Sequence, residues 1–157
     1  MRRYCLIMTL LMVAAAIGCQ RQALVSSDTD RAAIQTTLRN YIASIENENL
    51  DSYSPNMAHD TAMVNFGVFG PPIAGWAALT EVIAAQNEAL AQTKIAVTDQ
   101  HIHIAPSGQF AWATCLWDFQ TTMGETPVAL PVRCTWILEK RNNQWVIVHF
   151  HKSLAGR

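Results

Sequence analysis

From residue 28 onward the spacing of hydrophobic positions divides the chain into two helical stretches and a long region of strands. Ile34, Leu38, Ile42 and Ile45 recur at helical spacing, with Ala33 and Tyr41 on the flanks of the same stripe. Asp28 or Thr29 precedes the stripe as an N-cap. The pattern stops at the polar run "ENEN", and "LDSYSP" adds a single turn, because a residue before proline disfavours helix. "TAMVNFG" reads as a strand. Gly67–Gly75 holds two prolines and three glycines and reads as a turn with a strand fragment. A second long helix is predicted from Trp76 to about Ala91, with Leu79, Val82, Ile83, Gln86 and Leu90 on its inward stripe. Strand patterning then takes over in Lys94–Ala105, Phe110–Thr122, Val128–Lys140 and Gln144–Ser153, separated by the turn signals "APSG", "MGET" and "RNNQ". Turns this short imply an antiparallel meander. Helices first and long strands last define an α+β class.

The turns also predict a register. A two-residue hairpin at Asn142-Asn143 sets Trp136 opposite His149 and Cys134 opposite His151. One at Gly124-Glu125 sets Cys115 opposite Cys134 and Leu116 opposite Arg133. Side chains alternate across a sheet. One face should therefore carry Cys115, Trp117, Cys134, Trp136, Trp145, Ile147, His149 and His151. The other should carry Trp112, Thr114, Asp118, Arg133, Thr135, Val146, Val148 and Phe150. A β-bulge would exchange the faces beyond it.

The first residues follow a different rule. Arg2 and Arg3 precede an apolar run from Tyr4 to Ile17 and then Gly18-Cys19. This is the layout of a secretory signal, and the run falls short of the roughly 20 apolar residues that span a bilayer. "AAIGC" is similar to the bacterial lipobox, in which the cysteine is lipidated and becomes the mature N-terminus. Residues 1–18 are expected to be a lipoprotein signal peptide, Cys19 the lipidated residue and residues 19–27 a tether. The domain itself is expected at 28–157. The resemblance implies a place in the bacterial cell envelope, on the outer membrane facing the periplasm and held by acyl chains alone. The 157-residue chain has formal net charge −1 with scattered basic residues, so nothing marks it for nucleic acid.

Four of the five histidines form two H-x-H pairs, His101/His103 and His149/His151. Each pair puts two imidazoles on one face of a strand, ~7 Å apart. The pairs fall on the first and last strands of the meander, three steps of ~4.8 Å apart, and a zinc site needs three or four converging ligands. No metal and no cofactor are expected.

The order of elements over residues 28–154 resembles the nuclear transport factor 2-like superfamily, a cone-shaped fold that includes SnoaL-like proteins and ketosteroid isomerase. The residues that carry the resemblance are "NLDSY", Gly75 at the start of the second long helix, and "QWVIVHFHKS". The last stretch is most similar to the association domain of calcium/calmodulin-dependent protein kinase II. That domain also has a His-x-His at the position of His101 and His103, and a Val-His-Phe-His-x-Ser ending. The chain departs from it at Asn143, where that domain has glycine, and at Lys152, where it has its pocket arginine. "VRCTWILEK" instead resembles the Arg-x-Thr strand of SnoaL-like proteins.

The resemblance implies N-terminal helices packed on a curved antiparallel sheet, oligomerisation through that sheet and a polar pocket. The expected role is non-catalytic: binding a small molecule, assembling as a homodimer, or both. The alternative is a SnoaL-type isomerase or cyclase, in which Asp118, Asp60 or His151 would act as acid/base. Tyr41 and Tyr53 are candidate donors, and Asp118 with Arg133, diagonal neighbours on paired strands, a polar anchor for an anionic or carbonyl ligand. Trp112, His103, His151 and Lys152 complete the expected pocket, and Trp76 is expected to pin the second long helix to the sheet. Cys115 and Cys134 are expected either as a disulfide or as two buried thiols.

Overall fold

The structure, a computed structural model, describes residues 27–155. The expected signal segment, Cys19 and all but the last residue of the tether lie outside the described residues. Helix α1 occupies residues 27–46, so Asp28 and Thr29 sit within its first described turn rather than before it. Its stripe packs as the spacing demands: Ile34, Leu38 and Tyr41 are fully buried, and Ile42 and Ile45 nearly so. Helix α2 (Leu50–Tyr53) is capped by the Asn49 side chain, which accepts from Ser52 N at 2.9 Å. A 3-10 turn, Ser54–Asn56, follows around Pro55.

Strands β1 (Val64–Asn65) and β2 (Ile73–Ala74) form a small antiparallel pair. Gly75 leads from β2 into helix α3 (Trp76–Ala89) with φ of 82°, and a Cβ there would lie 3.2 Å from Thr61 O. Glycine meets both demands.

The main sheet is the predicted meander: β3 (Leu90–Ile104), β4 (Phe110–Met123), β5 (Thr126–Arg141) and β6 (Gln144–Leu154), antiparallel in the order β3-β4-β5-β6. Cys115 faces Cys134 and Leu116 faces Arg133, as the turn at Gly124-Glu125 requires. The turn at Asn142-Asn143 has positive φ at both residues, the geometry of a tight hairpin. Strand β3 shifts register twice, next to the left-handed residues Gln92 and Asp99, and such bulges bend a strand.

The register of β6 differs from the expectation. Ile137 pairs with His149 but Leu138 pairs with Ile147, so Val148 is a bulge. Beyond it the faces exchange. Trp136 faces Phe150 rather than His149, and Cys134 faces Lys152 rather than His151. Phe150 turns into the core, and the histidines turn outward. The exchange buries a phenyl ring in place of two imidazoles, which hydrophobic burial favours.

A neighbouring segment holds this register. Ala58 N donates to Ile147 O (2.8 Å), Phe66 N to Phe150 O (2.9 Å) and Lys152 N to Phe66 O (3.0 Å). The Asn65 side chain, fully buried, accepts from Phe150 N at 2.8 Å.

Candidate functional site

The inner face of the sheet, α1, α3 and the segment around Gly67–Phe69 enclose a cavity of about 430 Å³. Its wall is apolar: Ile83 and Leu90 from the α3 end, Phe119, Leu130 and Val132 from the sheet, and Phe69 at the rim. Val82 and Gln86 of the predicted α3 stripe line this space rather than pack into the core. Among the described residues lining it, Lys152 is the one ionisable side chain.

Lys152 reaches inward because the bulge at Val148 turns it there. Its Nζ sits 4.8 Å from the ring centroids of Trp117 and Phe150 and 5.3 Å from that of Tyr41. Ring faces attract a cation. No carboxylate among the described residues pairs with it. Burial lowers its pKa from the ordinary lysine value, because desolvation disfavours the ammonium.

Behind Lys152 lies a set of hydrogen-bond donors. The Tyr41 and Tyr53 rings stand 5.2 Å apart. Both hydroxyls, and the indole nitrogens of Trp117 and Trp136, are buried without a hydrogen-bond partner among the described residues. Burial pushes both phenols up, so they stay protonated. Cys115 and Cys134 face each other in the same region as free, buried cysteines, and burial raises the thiol of Cys134. The Lys152 ammonium at one end of an apolar cavity suits an oxygen acceptor on an apolar body.

The other expected site residues lie elsewhere. Asp118 and Arg133 remain diagonal neighbours, but on the outer face. Asp118 accepts from Gln120 Nε2 at 3.0 Å, and Arg133 Nη2 donates to Leu154 O at 2.9 Å. The expectation that they anchor a cavity ligand is corrected: they alternate with the inward-facing Trp117 and Cys134. Trp112 is also outward and 47% exposed, not a cavity residue. Asp60 lies outside the cavity, where Arg141 grips it with bonds of 2.8 and 2.6 Å that hold its pKa down. His151 packs against Phe66 outside the cavity.

Both histidine pairs face outward. His101, Thr114, Thr135 and His151 form one row across the four strands, and His103, Trp112, Ile137 and His149 form the next. The two pairs are therefore three strand spacings apart, and His103 stacks on Trp112 at 3.9 Å. The fifth histidine, His59, stacks on Trp76 at 4.0 Å, at the start of α3.

A cone of three helices on a four-stranded antiparallel sheet, curved around an open cavity, places the protein in the nuclear transport factor 2-like class. Solved structures agree. A nuclear transport factor 2-like superfamily protein from Salmonella enterica serovar Typhimurium superposes with a TM-score of 0.77 at 18% identity, covering 83% of this chain and 94% of that one. A proposed dehydratase of the family from Streptomyces avermitilis gives 0.74 at 15% identity, covering 83% and 99%. A proposed calcium/calmodulin-dependent protein kinase II association domain from Xanthomonas campestris gives 0.68 at 15% identity, covering 79% and 86%. At these identities the likeness is one of fold. Within that class, residues 34–156 match the SnoaL-like domain, and the chain belongs to that family. No curated protein matches the sequence at a significant level.

Proposed function

We propose that the domain binds a small molecule in its cone, with an apolar body along the cavity wall and a carboxylate or carbonyl oxygen on Lys152. The observation that carries this reading is Lys152, half-buried, with its ammonium opening on the cavity. It borders an apolar cavity without a carboxylate partner among the described residues. A cation partly withdrawn from water and left without a counter-charge is costly, and a ligand oxygen supplies the missing partner. Binding is favoured over acid/base catalysis, because Asp118, Asp60 and His151 stand outside the cavity. The test is mass spectrometry of small molecules released from purified protein. An acid or carbonyl compound should leave the wild type and be missing from Lys152→Met. The same compound recovered equally from both would refute the assignment.

We infer assembly as a homodimer through the outer sheet face, supported by the exposed side chains of Phe110, Trp112, Leu116 and Ile137. The reading also keeps the protein in the cell envelope, anchored by acyl chains on Cys19. The lipobox-like "AAIGC" supports this. Metabolic labelling with a fatty acid, lost in Cys19→Ala, tests it.

A further inference from the structure

We propose that Lys152 is an amine nucleophile that captures an aldehyde or ketone as an imine inside the cavity. The inference rests on the binding reading above and narrows its ligand class to carbonyl compounds.

Three features set Lys152 apart from the other lysines of the chain, Lys94 and Lys140. It alone lines the cavity. Lys140 is held by Asp30 at 2.7 Å, and Lys94 is exposed to water. Lys152 has aromatic rings where an ion pair would be, and desolvation shifts it toward the neutral amine that a nucleophile needs. A lysine in such surroundings is poised for carbonyl chemistry.

The step balances without any further reactant. The Nζ lone pair attacks the carbonyl carbon, and a proton passes from nitrogen to the new alkoxide, giving a carbinolamine. Loss of that hydroxyl as water, with a second proton from nitrogen, leaves the C=N bond. Tyr41 and Tyr53 supply neutral phenols beside the amine. Both hydroxyls are buried behind the amine and stay protonated, so they place no negative charge beside it. The apolar wall gives the carbon body of the aldehyde a surface to bury.

The experiment treats the protein at neutral pH with 2-naphthaldehyde and sodium cyanoborohydride and maps the adduct by peptide mass spectrometry. Reduction of the imine adds the mass of one aldehyde less one oxygen. Lys152 should be modified at least tenfold faster than Lys94 in the same molecule, and Lys152→Arg should lose the fast adduct. Labelling of Lys94 at an equal or faster rate than Lys152 would overturn the proposal. A parallel titration with 2-naphthoate, which forms no imine, separates the two readings. If naphthoate binds wild type and not Lys152→Met while the aldehyde is not trapped at Lys152, the imine falls and the binding site stands. If neither ligand engages Lys152, both fall.

Discussion

Replacing Lys152 by methionine should stabilise the ligand-free protein. Lys152 is half-buried against aromatic rings, so it bears part of the desolvation penalty, which for a fully buried ion is several kcal/mol. Ring contacts return about 0.5–2 kcal/mol of that, and three rings lie within 5.3 Å of Nζ. No carboxylate among the described residues returns the rest. Methionine has a similar length and leaves the contacts of the stem in place. The net gain for Lys152→Met is about 1 kcal/mol at neutral pH, which raises Tm by roughly 3–6 °C in a domain of this size.

The gain has a pH signature. Folding lowers the pKa of Lys152 below the ordinary 10.5. Between the lowered value and 10.5 the unfolded chain holds a proton that the folded protein has released, so wild-type stability rises with pH across that window. The penalty is fully present below the folded value and gone above 10.5. Thermal unfolding of wild type and Lys152→Met, both stripped of ligand, should show a gap in favour of the variant that is widest at neutral pH and closes toward pH 10.5. Taking the difference cancels the tyrosines and cysteines common to both proteins. A variant less stable than wild type at neutral pH, or a gap that does not change with pH, would refute the claim that Lys152 is a desolvated, unpaired cation.

Other predictions address the frame around the site. Asn65→Ala removes the buried acceptor for Phe150 N, which should cost about 1–3 kcal/mol in urea unfolding; an unchanged midpoint would deny Asn65 its role in fixing β6. Trp112→Glu puts a charge on the exposed apolar face and should shift sedimentation from dimer to monomer, whereas an unchanged profile would exclude that face as the interface. The domain from residue 27 onward, denatured without reductant, should titrate two thiols per chain, for Cys115 and Cys134; none would mean a disulfide.

The helices and the meander were legible because their periods are strong and their turns carry asparagine and glycine. The β4–β5 register followed from one two-residue turn, and Cys115 does face Cys134. The site was less legible, and a single residue accounts for much of the difference. The Val148 bulge leaves no mark in a run of alternating side chains, yet it decides whether His151 or Lys152 points inward. The cue available in the sequence was energetic: burying Phe150 is better than burying His149 and His151. Asp118 and Arg133 were misplaced for another reason. Their pairing was right, but polar residues on a half-buried sheet belong on the outer face, as Trp117 and Cys134 occupy the inner one. Tyr41 and Tyr53 were expected to line the pocket, but a helix stripe and a capped turn point them into the core behind Lys152, outside the cavity lining. Asn65 gave no signal, since its role depends on a segment distant in sequence.

The most direct test of the account is calorimetric titration of 2-naphthoate into three proteins: wild type, Lys152→Met and Arg133→Ala. The cavity assignment predicts that Arg133→Ala binds like wild type. Lys152→Met should lose roughly ten- to a hundredfold in affinity, the worth of a hydrogen bond to a charged group. Binding that survives in Lys152→Met and disappears in Arg133→Ala would put the ligand on the outer face of the sheet and contradict the account.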